Sequence, residues 1–356
     1  VGNFGYRLAE LEAGGKSDSN GAIGGINLIQ SESNGYQNNG FKMYDVLVKG
    51  GLQIDQNQWL SLKYTHYDNN INTSYVGLRP NQYVANSGIN PAPNDRFITQ
   101  RNAVDINHSL EINSDTKLNT LLYWSKLDRD YWRQSILDRN QDATVFKPCN
   151  TGADCQAGRN REFQMLGLDS RLIHGYKAFG ILNEMELGVR LHTESQSNQV
   201  VTSQTLAHSG RLTMHEENKA NSIALYAQNR FLITPDFAII PGVRVESYNQ
   251  NRSNVMTNKS GSAKNIETVP QIGATWQFIP EVQVYSSIYK GFAPAQLATA
   301  IDDKGVDQQL APERSTNMEI GLRGRSGGFS YDSAVFSMDF SNQIVNQSLA
   351  SGISKA

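Results

Sequence analysis

The sequence is poor in cysteine, in surplus charge of either sign and in long apolar runs, and each shortage excludes something. No window holds eighteen consecutive apolar residues, which excludes a protein that crosses a membrane with helices. A membrane barrel stays open, because only every second residue of a barrel strand must be apolar. Thirty-two basic residues nearly balance 34 acidic ones, for a net charge of −2, so composition gives no support for a nucleic-acid partner. Neither a phosphate-binding glycine loop nor a dinucleotide fingerprint is present. The two cysteines, Cys149 and Cys155, stand in PCNTGADC within a polar stretch far from any histidine. That placement predicts a loop-stapling disulfide and an oxidising, extracytoplasmic compartment rather than half a zinc site. The chain opens without Met and begins and ends inside patterned sequence, so it reads as a mature or trimmed piece of a longer protein.

What is present is alternation. From Val269 to Pro294 the chain reads VPQIGATWQF, IPEV, QVYSSIYKGFAP. Ile272, Ala274, Trp276 and Phe278 share one parity, and Gln271, Gly273, Thr275 and Gln277 share the other, a period of two that gives a strand one greasy and one polar face. Each arm of this hairpin is about ten residues, the length a tilted strand needs to cross a bilayer. Similar hairpins open near Ser222 and Ser315, each about 46 residues from the start of this one at Val269, which fits an up-and-down sheet with one kind of short turn. Further pairs are predicted at 6–13 with 22–31, 42–54 with 59–67, 101–113 with 117–131, and 162–175 with 181–195, about 14 strands in all. Turns at one end are short. At the other end the predicted loops are long: 68–100, 132–161, 196–220, 249–267 and 296–314. That asymmetry belongs to an outer-membrane barrel with short periplasmic turns and long external loops.

Arg230, Arg244, Glu246, Glu319 and Arg323 fall on the polar parity and are predicted to face a wet or plugged lumen, since a dry core would penalise unpaired charges by several kcal/mol each. Trp59, Tyr64, Tyr67, Trp124, Tyr131, Trp132, Tyr289 and Phe292 cluster toward strand ends, where interfacial girdles lie. GRSGG at 324–328 matches a nucleophile elbow in letters, but FSYDSAVF after it is a strand, so Ser326 is a turn residue. His208, His215, Glu216 and Glu217 stand close together, yet their spacing is not that of an ordinary metal site.

Three segments carry a family resemblance. YSSIYKGFAPAQL, LAPERSTNMEIGLRG and FSMDFSNQIV resemble a signature of TonB-dependent outer-membrane receptors, especially the ferric-dicitrate-type branch. The matching positions are Lys290, Gly291, Phe292 and Pro294; Leu310, Pro312, Glu313, Ser315, Glu319 and Gly321; and Asp339, Phe340, Asn342, Gln343 and Ile344. The resemblance implies a plugged barrel of about 22 strands, with residues 1–356 forming part of that single barrel domain and both the N-terminal plug and the C-terminal strands lying outside this chain. It implies uptake of a ferric chelate, ferric citrate or another siderophore, in the Gram-negative outer membrane, with lipid and lipopolysaccharide around the barrel. A TonB-type energy transducer would drive it through the N-terminal region, with no resident cofactor and no covalent chemistry.

Iron chelates are mostly anionic, so the external site should present guanidinium groups, which hold carboxylates in two-point contact. The candidates are Arg79 and Arg96 in the first long loop and Arg133, Gln134, Arg139, Arg159 and Arg161 in the cysteine loop, with Tyr75, Tyr83 and Trp132 beside them. The alternatives weighed are a passive porin, a receptor of the same fold for haem or another scarce nutrient, and a barrel-anchored adhesin or surface enzyme.

Overall fold

The computed structural model describes residues 1–19, 21–75, 77–78, 80–135, 154–302 and 304–344. Fourteen antiparallel strands form one sheet in which every strand pairs with its neighbours in sequence. They are β1 (Arg7–Lys16), β2 (Ile23–Ser33), β3 (Phe41–Asp55), β4 (Gln58–Ile71), β5 (Arg96–Asn113), β6 (Thr116–Gln134) and β7 (Gln156–Ala178). The second half comprises β8 (Ile181–Ser203), β9 (Arg211–Thr234), β10 (Phe237–Asn254), β11 (Lys259–Ile279), β12 (Val282–Ala293), β13 (Glu313–Ser326) and β14 (Phe329–Ser341). Two short helices sit in the long connections, α1 (Pro80–Asn86) and α2 (Leu297–Ala300). Among the described residues β1 and β14 each pair on one side only.

The predicted face assignment holds. Ile272, Trp276 and Phe278 are half exposed, as are Ile223, Leu225, Ile266, Met318 and Ile320 on the same face of neighbouring strands. A continuous apolar surface of this extent is tolerated against lipid, not water. The opposite face is polar and becomes the lumen face of a barrel. There Arg244 binds Glu246 at 2.8 Å, Tyr226 donates to Asp169 at 3.1 Å, and Arg323 donates to Gln283 at 2.7 Å. Large lumen-side rings lie flat over cross-strand glycines: Trp59 over Gly51, Tyr123 over Gly167, Tyr226 over Gly188 and Tyr285 over Gly321, where a Cβ would come within 2.0 to 2.4 Å of the ring. Trp59, Tyr67 and Tyr131 therefore leave the predicted girdle for the lumen face, as their pairing with Ser109, Arg101 and Arg159 shows.

The loop ends correct the sequence reading. β9 runs 24 residues, about 80 Å at strand rise, whereas a crossing needs about ten residues. Its lower part carries Ile223, Leu225 and Phe231; above that, Arg211 to Asn221 is mostly polar yet still paired with β8, and from Glu216 onward with β10 as well. Outside the bilayer neither face must be apolar, so period two vanishes while the ladder keeps satisfying the backbone. The first four predicted loops shrink to connections of 72–95, 135–155, 204–210 and 255–258, and the last keeps its length but shifts to 294–312. Arg96 opens β5, Arg133 and Gln134 close β6, and Arg159 and Arg161 lie within β7, so none of these five is a loop residue.

Candidate ligand-binding site

The external ends of β5 to β8 carry the site. In β6, residues 129, 131 and 133 share one face because side chains alternate along a strand. The ladder sets Arg129 opposite Arg161, Tyr131 opposite Arg159, and Arg133 opposite Ala157. Four guanidinium groups, Arg129, Arg133, Arg159 and Arg161, thus gather on the lumen face at the outer mouth. Among the described residues none of the four has an ion-pair partner. Arg133 is held by rings instead: its guanidinium carbon lies 3.7 Å from the Tyr75 centroid and 4.3 Å from that of Tyr131. Arg161 donates from Nε to Asn198 at 3.1 Å, and Arg129 lies over Phe163 at 5.8 Å. The Nε atoms of Arg129 and Arg133 are buried without a hydrogen-bond partner. Like charges packed this way repel, and an arriving anion relieves the repulsion.

Asp95 positions the ring clamp. It is 1% exposed and accepts the Tyr75 N–H at 2.9 Å and the Gln134 N–H at 2.6 Å. Burial pushes its carboxyl above the usual range; the two amide bonds and the nearby Arg133 and Arg96 pull the other way without overcoming it. Arg96 and Gln134 take part in this anchor. Arg96 Nη1 donates to the carbonyls of Asp95 at 2.9 Å and Pro93 at 3.3 Å, and Gln134 Oε1 accepts from Asn94 at 3.1 Å. Both sit on the other face of the sheet, with Trp132, and not among the four arginines. Trp132 stacks on His208 at 5.2 Å, and burial pushes the His208 imidazole below its ordinary value, with Arg96 adding to the effect. Arg79, Arg139 and Cys149 lie outside the described residues. Cys155 is fully buried, its Sγ 3.0 Å from the Gln204 carbonyl oxygen.

Arg129 escaped the sequence reading because it was placed inside a strand while arginines were sought in loops. The parity of 129, 131 and 133 against 159 and 161 was the available signal. The histidine and glutamate cluster dissolves: His215 bonds Glu217 at 2.7 Å, Glu216 faces the lumen, and among the described residues no three metal-ligating side chains converge.

The family segments prove to be joints of the scaffold. Glu313 accepts the Ile344 N–H at 2.6 Å, Asn342 donates to the carbonyls of Ala311 and Pro312 at 2.9 Å each, and Phe292 stacks on Tyr248. These contacts tie the 294–312 connection to the end of β14. A lipid-facing apolar band, a polar lumen face, short turns at one end and long paired strand ends bearing arginine at the other together define the wall of an outer-membrane barrel. The chain belongs to the TonB-dependent receptor β-barrel family: residues 35–355 match the family described as "TonB dependent receptor-like, beta-barrel". Members are receptors of the Gram-negative outer membrane rather than enzymes. An uncharacterized TonB-dependent receptor of Haemophilus influenzae is 25% identical over 132 residues, 36% of this chain and 37% of that protein. The unliganded ferric citrate transporter FecA superposes with a TM-score of 0.79 at 18% identity, covering 94% of this chain and 48% of that one. The ferripyoverdine receptor of the Pseudomonas aeruginosa outer membrane, bound to ferripyoverdine, gives 0.76 at 15% identity, covering 94% and 47%. The chain thus spans about half the length of these structures, and the likeness to them is one of fold.

Proposed function

We propose that this chain forms most of one side of the barrel of an energised receptor that captures an anionic ferric chelate at its outer mouth and imports it. The observation that carries the reading is the set of four guanidiniums, Arg129, Arg133, Arg159 and Arg161, on the lumen face, none of which forms an ion pair among the described residues. Arranged on two adjacent strands, they suit the planar oxygen donors of carboxylate or catecholate ligands. Ferric citrate is the first candidate, supported by the motif between Gly291 and Ile344 and by the fold likeness to FecA. The remaining strands, an N-terminal plug and a TonB-type transducer complete the machine in this reading, and Arg79 and Arg139 add charge from their loops. A Cys149–Cys155 disulfide would staple the cysteine loop beside this mouth.

The test is titration of the purified full-length receptor with ferric citrate and with a ferric tris-catecholate, followed by radioactive iron uptake in cells with and without the transducer. Saturable binding at low concentration and transducer-dependent uptake are expected. A steady ion conductance in planar bilayers without chelate binding would instead make the protein a porin.

A further inference from the structure

Beside the arginines, under the 294–312 connection, lies a cavity of about 550 Å³ with a different chemistry. Its floor is made by β8 to β10, where Glu194, Gln196, Asn218 and Tyr248 share the lumen face, and its roof by Pro294–Ala298. The roof is fixed: Gln250 Nε2 donates to the Ala295 carbonyl at 3.0 Å, and Arg252 donates to the Ile301 carbonyl at 2.5 Å and also binds Glu216. Ala263, Ala295, Ala300 and Ile301 pack beneath it, and Gly305, at φ +80°, lets the loop lie directly on Ser260. Arg161 belongs to both places, facing Arg129 on one side and lining this cavity on the other.

The open valences in the cavity are mostly acceptors. Asn218 is 5% exposed; its Nδ2 donates to Gln196 Oε1 at 3.2 Å, and its Oδ1 has no hydrogen-bond partner. Tyr248, also 5% exposed, has an unpartnered hydroxyl. The carboxylates divide in two. Glu216 is neutralised by Arg252 and Glu246 by Arg244, while Glu194 is half exposed with only His192 beside it, at 3.6 Å. A buried acceptor left without a donor costs about 1–3 kcal/mol, so a ligand group bearing N–H or O–H gains by entering. We infer that this cavity is a second subsite, which takes an ammonium- or hydroxyl-bearing arm of the same chelate whose anionic core rests on the four arginines. The inference rests on the proposed function and deepens it: beyond the anionic core, a free N–H or O–H arm on the chelate adds affinity.

The test uses three ferric tris-catecholates of identical core whose single arm ends in a primary amine, a hydroxyl or a methyl group. Each is titrated against the full-length receptor, and against Asn218→Leu, Asn218→Asp and Glu194→Gln, by fluorescence quenching. In the unaltered protein the amine and hydroxyl forms should bind about tenfold more tightly than the methyl form. Asn218→Leu should erase both preferences and Asn218→Asp should keep them. Glu194→Gln should lower the amine form alone, which separates the two sources of the donor. Equal binding of all three forms by the unaltered receptor overturns the subsite while leaving the arginine site intact. Failure of all three, and of ferric citrate, to bind overturns the chelate reading as well.

Discussion

The two walls of the lumen treat arginine differently. On β9 to β13 three guanidiniums have an acid, Arg244 with Glu246, Arg252 with Glu216, and Arg314 with Glu267 through two bonds of 2.7 and 3.0 Å, while Arg323 is held by the Gln283 amide. On β6 and β7, Arg129, Arg133, Arg159 and Arg161 have none among the described residues. Pairs of the first kind hold strands and loops in place. Among the described residues the second kind is contacted by aromatic faces and amides. The same residue type is therefore a structural joint on one wall and, under the proposed function, a receiver on the other.

The largest expected effect tests the receiving wall. Arg129→Ala combined with Arg161→Ala should weaken binding of an anionic ferric chelate by about 100-fold or more, since each charge-assisted bond contributes about 1.5–3 kcal/mol. The far-ultraviolet circular dichroism and melting temperature should stay unchanged. Unaltered affinity in titration would remove the distinction between the walls. The paired wall should behave oppositely: Arg252→Met leaves Glu216 buried and uncompensated, at about 3–5 kcal/mol, and should expose residues 294–312 to limited proteolysis. Arg252→Met together with Glu216→Leu should restore protection. A third variant probes the scaffold: Gly188→Ala pushes a methyl into the Tyr226 ring and should cost about 1–3 kcal/mol, read by denaturant unfolding of the refolded barrel, while Gly15→Ala, which meets open space, should cost less.

The smallest effect concerns the anchor of the ring clamp. Burial holds Asp95 above the usual carboxylate range, so the folded loop takes up its proton at a pH where the unfolded chain has already lost its own. The loop thus gains stability as pH falls through that raised value and loses it as pH rises. Hydrogen-exchange protection of the Tyr75 and Gln134 amides, corrected for intrinsic rates, should increase on mild acidification, and Asp95→Asn should flatten the trend. Protection that falls instead would show the amide bonds outweighing burial.

How much of this could be read beforehand depended on the bilayer. Where Ile223, Leu225, Trp276 or Ile320 meets lipid, alternation is enforced and the strands were legible to within a few residues. Above the membrane, Gln196 to Ser203 and Arg211 to Ala220 are mostly polar, the pattern that marks a strand disappears, and they read as loops. The candidate arginines suffered from the same blind spot. Arg133, Arg159 and Arg161 stand out by residue type and Arg129 does not, because the cross-strand register that unites the four is not written in any local window. Arg96 and Gln134 lie on the other face, where one caps carbonyls and the other donates its backbone N–H to Asp95. Asn218 and Tyr248 gave no sign at all, since only the folded sheet places them under Pro294–Ala298.

The flat rings over Gly51, Gly167, Gly188 and Gly321 carry one further consequence, for assembly. Each ring and its glycine sit on adjacent strands and fit only when those strands are aligned as in the ladder. A slip by one residue would turn the ring toward lipid and set a bulkier neighbour where it had rested. These four keys, spread from β3 to β13, favour the observed alignment over a slipped one at four of the sheet's thirteen seams.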